Sequence, residues 1–154
     1  MSHSSLIVAK YLLINKKDEK SIPAFSPMKI IKLVYIAHGW TLGINGVPLI
    51  KEPVEAWRYG PVIRELYTSV KQFRNNPIEL NSLPDIDQVE FNDDEKDVMD
   101  EVLSEYGGIT AMQLSAITHA DGTPWDITQK NGRIVITNDL IREHYRKLYI
   151  ESNF

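Results

Sequence analysis

The chain has 154 residues, of which 43% are hydrophobic and 25% are charged. This composition is typical of a single globular domain that is large enough to bury its own core. The sequence contains no cysteine, which excludes disulfides, thiolate zinc sites and cysteine nucleophiles. The longest apolar runs are too short to span a bilayer, and the first of them lacks the basic region and cleavage site of a signal peptide. We therefore expect a cytoplasmic protein with no membrane partner.

The net charge of −4 conceals an asymmetry between the two parts of the chain. Residues 1–77 contain 11 Lys or Arg and 5 Asp or Glu, a net charge of +6, whereas residues 78–154 contain 6 and 16, a net charge of −10. Ten acidic residues and a single base lie between Asp85 and Glu105. Such a segment is expected to repel nucleic acid and to attract basic partners, although a solvated helix face is the simpler interpretation.

Two apolar helices are predicted at the start of the chain. Ser5 is the expected N-cap of a first helix, which is apolar nearly all round and ends in a charged turn at residues 15–20. Ser26-Pro27 predicts the start of the second helix, because serine caps the end and proline needs no N–H donor at the first helical position. Lys29 and Lys32 follow near the positive end of the helix dipole. They are interpreted either as surface lysines with packed aliphatic stems or as binding residues.

Turn residues then lead into short extended segments. The residues expected to break the second helix are Gly43, Asn45-Gly46 and Pro48. Short strands are predicted at residues 47–50 and 54–59. Gly60-Pro61 is expected to start another helix, and the apolar stripe of that helix consists of Val62, Leu66, Val70 and Phe73.

The second half of the chain is predicted to be helical after a loose connection. That connection covers residues 75–91 and is the expected hinge within one domain that spans residues 1–154. A capping box formed by Asn92 and Glu95 predicts an acidic helix, which ends at Gly107-Gly108.

Further elements complete the predicted fold. Thr110 with Gln113 forms a second capping box, and Thr123-Pro124 starts a short third helix of this half. A strand is predicted at residues 134–136, and a closing helix at residues 140–150. The expected fold is therefore mainly α, a compact single domain of about six to seven helices with a small β-hairpin or short sheet.

A set of motifs in a fixed order carries a resemblance to a known family. They are Pro27-Met28-Lys29, Lys32 to Trp40 (Lys-Leu-Val-Tyr-Ile-Ala-His-Gly-Trp), Pro48-Leu49, Glu55 to Val62 (Glu-Ala-Trp-Arg-Tyr-Gly-Pro-Val), Leu114, Thr118-His119 and Thr123-Pro124-Trp125. At the last of these, the family often has Ser-Pro-Trp. In this order and spacing, the chain resembles the Panacea-domain antitoxin family, also described as SocA-like or as phage-associated GepA-like proteins. The resemblance extends over nearly the whole chain.

The resemblance implies a compact, mainly helical domain that binds and neutralises a toxin encoded beside it, in a bacterial or prophage toxin-antitoxin system. The implied partner is the cognate protein toxin. In at least one branch of the family the antitoxin is similar to a proteolytic adaptor, which hands its toxin to a cytosolic AAA+ protease such as ClpXP. No catalytic residue comes with the family.

The predicted partner-binding residues are Lys29, Lys32, Trp57, Arg58 and Tyr59. Aromatic side chains and arginine are favoured as interface anchors because they combine a large contact area with a polar or charged group. Core packing is the simpler interpretation of Trp57, and Arg58 is the better surface candidate. A second hypothesis assigns the acidic helix, Asp93 to Glu105, to a basic toxin or to a protease contact.

The main alternative is a helix-turn-helix protein that reads DNA and regulates its own operon, because two helices flank Gly107-Gly108. The would-be recognition helix, residues 111–120, contains no Lys or Arg. The attraction to phosphate that supplies most DNA affinity is therefore missing.

We predict no catalytic site, metal or cofactor. The four histidines are scattered and match no HExxH-like spacing. His119 with Asp121 is the nearest approach to a polar site, but a histidine at a helix C-terminus is commonly a cap. His38 lies on an apolar helix face, which favours a hydrogen-bonded core histidine.

Overall fold

The computed structural model describes residues 2–17, 25–87 and 89–152. Its elements are α1 (Ser5–Asn15), α2 (Pro27–Asn45), β1 (Val54–Trp57), β2 (Gly60–Val62), α3 (Arg64–Val70), α4 (Asp93–Tyr106), α5 (Ala111–Thr118), α6 (Pro124–Lys130), β3 (Val135–Ile136) and α7 (Asn138–Ser152). The predicted fold class, mainly α with a small sheet, is confirmed. Across these three ranges, none of the helices has both the length and the apolar character needed to cross a membrane.

Helix α2 is the centre of the fold. It contacts α1, α3, α4, α5, α7 and β2, and nearly all of its residues are buried because neighbours cover it on every side. The side chain of Ser26 accepts a hydrogen bond from Lys29 N at the start of the helix, as predicted. Gly46, at φ +75°, ends it in the left-handed conformation that favours glycine.

Gly43 does not break α2, so that prediction was wrong. It lies inside the helix, facing α7. A Cβ atom at this position would lie 2.7 Å from the backbone carbonyl carbon of Tyr145, closer than packed atoms can approach. The glycine therefore allows two helix backbones to come together, and α2 with α7 forms the most extensive helix pair of the fold.

A three-stranded antiparallel sheet in the order β2-β1-β3 lies against the helices. Trp57 pairs with Gly60, so β1 and β2 form a hairpin with the two-residue loop Arg58-Tyr59. The predicted helix start at Gly60-Pro61 was wrong, since these residues belong to β2 and α3 begins at Arg64. The predicted strand at residues 47–50 is reduced to one bridge between Ile50 and His3.

The helix caps follow the sequence closely, with one exception. Asn92, Thr110 and Thr123 cap α4, α5 and α6 as predicted, and both capping boxes are formed. The cap of α1, however, is Ser4, whose side chain accepts from Leu6 N. Ser5 is instead buried, and its hydroxyl donates a 2.7 Å hydrogen bond to the carboxylate of Glu52.

The connection between α3 and α4 packs against the core at several points. Its buried side chains are Ile78, Leu83 and Phe91. The Lys10 ammonium donates a 2.6 Å hydrogen bond to the carbonyl of Leu80, which joins the connection to α1. Residues 18–20 of the predicted charged turn and Gln88 of the connection lie outside the described residues. The role of the connection as a hinge stays a prediction.

His38 is a core histidine, as the sequence indicated. Its side chain is fully buried in α2, Nε2 lies 3.0 Å from the Asn138 side-chain oxygen, and Nδ1 accepts from the backbone N–H groups of Leu49 and Ile50. Burial lowers the pKa of His38 to about 4. The ring is therefore neutral at physiological pH, and it joins α2 to residues 49–50 and to the start of α7.

Candidate partner-binding site

The hairpin loop carries the most prominent cluster of aromatic and cationic side chains. Arg58 and Tyr59 form the loop itself, and both are exposed, with Tyr59 at 59%. Trp57 precedes them on β1 and is half-buried against the core. The structure thus confirms that Arg58 lies on the surface, and it gives Trp57 a role in packing as well.

A groove of about 340 Å³ lies between this loop, α3 and the start of α2. We call it the basic aromatic groove, and the side chains that give it this character are Trp57, Arg58, Tyr59, Tyr67, Lys71 and Arg74. Met28 and Lys32 of α2 also contribute to its lining, in which the described residues include no Asp or Glu. The groove therefore presents aromatic surface and positive charge together, the composition of many protein interface hot spots.

The rings and cations of the groove contact one another. The ring centroids of Trp57 and Tyr67 lie 5.0 Å apart at an interplanar angle of 67°, a favourable edge-to-face arrangement. The Arg58 guanidinium lies 5.3 Å from the Tyr59 ring centroid, and the Lys71 ammonium lies 5.9 Å from that of Tyr67. The contact between Trp57 and Tyr67 joins the hairpin to α3, and the other two pair a cation with a ring on each side of that junction.

A carboxylate outside the groove fixes the Trp57 side chain. Glu55 accepts a 2.9 Å hydrogen bond from the indole N–H of Trp57 and forms a 2.8 Å ion pair with Arg64. The pKa of Glu55 is lowered most by the hydrogen bond from Arg64 and to a smaller extent by the hydrogen bond from Trp57. Arg64 also stacks over the indole at 5.3 Å, so the orientation of Trp57 is held from two sides.

Backbone carbonyls of the hairpin accept hydrogen bonds from side chains on three different helices. The donors of the three shortest bonds are Trp125 Nε1 (2.6 Å to Trp57 O), Ser115 Oγ (2.6 Å to Tyr59 O) and Lys32 Nζ (2.9 Å to Pro61 O). They belong to α6, α5 and α2, respectively. The hairpin is thus attached to the helical core along its length. A loop held in this way loses little conformational freedom when a partner binds.

Lys32 is buried, which neither interpretation of the sequence anticipated. Its side chain is 2% exposed, and within the described chain its ammonium has one hydrogen-bond acceptor, the Pro61 carbonyl. Burial lowers the pKa of Lys32 from 10.5 to about 8. The group still carries a positive charge at neutral pH, so it adds to the positive potential of the groove from beneath.

Lys29 is also buried and does not belong to the groove. The side chain is 1% exposed, and its ammonium donates a 2.5 Å hydrogen bond to the carbonyl of Gly107, which ends α4. It lies 4.7 Å from the ring centroid of Phe25, and burial lowers its pKa. Cations stabilise the negative end of a helix dipole. The structure therefore gives Lys29 a capping position instead of the predicted surface one.

Helix α4 presents the second predicted surface, which is acidic. Its exposed carboxylates are Asp93, Asp94, Asp97, Asp100, Glu101 and Glu105, and none of the ion pairs formed by the described residues includes them. Asp100 accepts a 2.8 Å hydrogen bond from the Tyr11 hydroxyl. Burial, and to a smaller extent this hydrogen bond, raises the pKa of the Tyr11 hydroxyl to about 12. The charge of this face is otherwise available to a partner.

Helix α5 lacks the features of a DNA recognition helix. It carries no Lys or Arg, and the large hydrophobic side chains that it exposes are Met112 (81%) and Ile117 (49%). His119 is its C-cap residue, as expected, and its ring packs edge-to-face against Trp125 with the ring centroids 5.2 Å apart. Within the described ranges, no group of three His, Asp or Glu side chains is placed to hold a metal ion.

The sequence did not single out Tyr67 as part of the site. Arg64, Tyr67, Lys71 and Arg74 follow one another at spacings of three or four residues, and such spacings place side chains on the same helix face. This aromatic and cationic face, about 100° around the helix from the apolar stripe, was the signal that could have identified the wall of the groove that α3 and the residues after it form.

Comparisons with known proteins agree with the resemblance found in the sequence. The family described as "Antitoxin SocA-like, Panacea domain" matches residues 30–126, which extend from the first turn of α2 into α6 and contain most of the groove. Antitoxin SocA of Caulobacter vibrioides (strain NA1000 / CB15N) is 33% identical over 124 residues, an alignment that covers 75% of this chain. The chain spans about 65% of the length of that relative. No solved structure matches the chain significantly.

Proposed function

The chain belongs to the family of SocA-like antitoxins with a Panacea domain, and from that premise we propose that it neutralises the protein toxin encoded beside it by binding the toxin directly. The observation that carries the proposal is the basic aromatic groove, with Arg58 and Tyr59 exposed at its edge. We propose further that residues 1–154 act as one Panacea-like domain and that the protein has no catalytic role.

Three properties of the groove favour direct binding. Arginine and the large aromatic residues contribute the most binding energy in protein interfaces. The hydrogen bonds to Trp57, Tyr59 and Pro61 hold the hairpin in place before a partner arrives, which reduces the entropic cost of association. Among the described residues, those that line the groove include cations and no Asp or Glu, which favours a toxin segment that carries negative charge.

Co-expression with the product of the neighbouring gene tests the proposal. The variants Arg58→Glu and Tyr59→Ala alter exposed side chains and should leave the fold intact, but each should weaken complex formation and reduce the rescue of growth. Arg133→Glu is the matched control, since Arg133 is exposed outside the groove and undergoes the same change in charge. If both groove variants rescue growth and retain the complex as well as Arg133→Glu does, the groove is not the toxin-binding surface.

A proteolytic adaptor is the second candidate function. An adaptor must hold a toxin and a protease together, and the chain carries two surfaces of opposite charge, the basic aromatic groove and the acidic face of α4. With a purified AAA+ protease such as ClpXP and ATP, an adaptor shortens the lifetime of the toxin in a way that depends on the chain. A toxin lifetime unaffected by the chain would reject this function while leaving direct neutralisation in place. DNA-binding autoregulation gains no support from α5, which has no cation.

A further inference from the structure

A second groove, of about 450 Å³, lies between α2, α4 and α7. Its floor includes Trp40 and Ile44 of α2 and Val98 and Val102 of α4, and Glu101 and Glu105 stand at its edge. This volume is within the range of sites that bind ligands and protein side chains. It shares no lining residue with the basic aromatic groove, so it is a separate surface.

The edge formed by α4 carries the carboxylates of Glu101 and Glu105. Asp97 lies one turn before them outside the lining, and the three exposed residues follow at successive four-residue spacings, which place them on one helix face over about 12 Å. None of the three takes part in the ion pairs formed between described residues. An apolar floor therefore lies beside a regular line of negative charge.

The floor of the groove is held by contacts between the helices. The indole N–H of Trp40 donates a 3.2 Å hydrogen bond to the hydroxyl of Tyr106, and the indole packs edge-on against the Tyr145 ring at 5.2 Å. These contacts join α2 to both α4 and α7. The groove is consequently formed without a partner, which lowers the cost of binding one.

We propose that this groove binds a basic amphipathic helix of a partner protein. Apolar side chains on one stripe of that helix would cover the half-buried side chains of Trp40 and Ile44, in the way that amphipathic helices occupy apolar grooves. Lys or Arg residues at four-residue spacing beside the stripe would face Glu101 and Glu105, which have the same spacing. This second partner is distinct from the toxin segment in the basic aromatic groove, which we expect to be acidic.

A synthetic peptide of about 16 residues provides the probe, with Leu on one helical stripe and Lys at four-residue spacing beside it. Binding is followed by two-dimensional NMR, with the indole N–H signal of Trp40 as reporter, and by titration calorimetry. The Trp40 signal is expected to shift. The affinity should fall at least about tenfold between about 0.05 M and about 0.5 M salt.

The variant Glu101→Lys/Glu105→Lys should weaken peptide binding by about tenfold or more. Glu79→Lys/Asp121→Lys makes the same change in net charge at exposed positions outside the groove, and it should bind almost like the wild type. Both variants should keep the wild-type melting temperature, because all four positions are exposed. Neither result depends on the toxin, so the test can fail while the proposed antitoxin function holds.

Three results would overturn the proposal. The first is the absence of a Trp40 shift at saturating peptide. The second is equal affinity for a peptide of the same composition in scrambled order, which would indicate unspecific charge attraction. The third is a dimer of the chain alone in sedimentation analysis that Glu101→Lys/Glu105→Lys dissociates, which would assign the groove to a second copy of the chain.

Discussion

The ammonium of Lys32 lies 2.9 Å from the carbonyl oxygen of Pro61, in a position where the lysine side chain is 2% exposed. This bond joins the central helix to the hairpin that carries Arg58 and Tyr59. Removing a charge from water is costly when few groups compensate it, and one acceptor is little compensation. The chain therefore maintains an unfavourable charge directly under its candidate binding surface.

Burial of Lys32 predicts a particular dependence of stability on pH. The pKa is about 8 in the folded state, against an ordinary value of 10.5. Below pH 8 both states bind the proton, and the cost of burying the charge is fully present. Between pH 8 and 10.5 the unfolded chain keeps a proton that the folded chain loses, so the free energy of unfolding rises with pH.

The variant Lys32→Met isolates the contribution that titration of Lys32 makes to the free energy of unfolding. The free energy of unfolding of the wild type should rise relative to that of Lys32→Met by up to about 3 kcal/mol between pH 8 and 10.5, and the difference should be constant from pH 6 to 7.5. Urea denaturation across this range is the measurement, with Lys71→Met as a control at an exposed lysine. Parallel pH profiles for the wild type and Lys32→Met would show that Lys32 titrates as it would in water.

Gly60→Ala should destabilise the protein by roughly 1–3 kcal/mol. Gly60 has φ +117°, which L side chains rarely adopt, and a Cβ atom there would lie 3.0 Å from the Lys32 ammonium. Thermal unfolding measures the change. Gly108→Ala is the control, since that glycine has an ordinary φ and open space around it, and its cost should stay below about 0.5 kcal/mol. Equal stability of the two variants would contradict the described hairpin geometry.

Gly43→Ala tests the contact between α2 and α7. In an exposed helix this substitution would stabilise by about 1 kcal/mol, because alanine favours helix more than glycine. Here the added methyl group would meet the backbone of Tyr145 at 2.7 Å. We therefore expect a loss of about 1–3 kcal/mol in urea unfolding, the cost typical of overpacking. A gain in stability would mean that α7 does not pack so closely on α2.

Most of the elements were predicted correctly because the signals that define them, such as helix caps, act between residues that are close in sequence. Asn92 with Glu95 and Thr110 with Gln113 form their capping boxes through neighbours three residues away. Gly60-Pro61 failed as a helix start because a distant group helps to hold it in the strand, namely the Lys32 ammonium, which donates to the Pro61 carbonyl. A one-dimensional pattern does not contain this contact.

In the candidate site, too, the predictions that rest on local signals succeeded and those that depend on tertiary contacts failed. Arg58 was correctly placed on the surface, since a cation in a turn-bounded segment has few ways to be buried. Lys29 and Lys32 were misplaced because their burial depends on acceptors far along the chain, at Gly107 and Pro61. Tyr67 enters the groove only through the packing of α3 beside β1. Tertiary contacts thus decided which cations are available to a partner.

The dissociation constant of the purified complex with the neighbouring-gene toxin is the most direct test of the central claim. The double variant Arg58→Glu/Lys71→Glu reverses two exposed charges that line the basic aromatic groove, and it should weaken binding by about 100-fold. Arg133→Glu/Lys147→Glu, with the same change in net charge at exposed positions outside the groove, should bind within about threefold of the wild type. A groove variant that folds normally and binds the toxin as tightly as this control would contradict the claim that the groove receives the toxin.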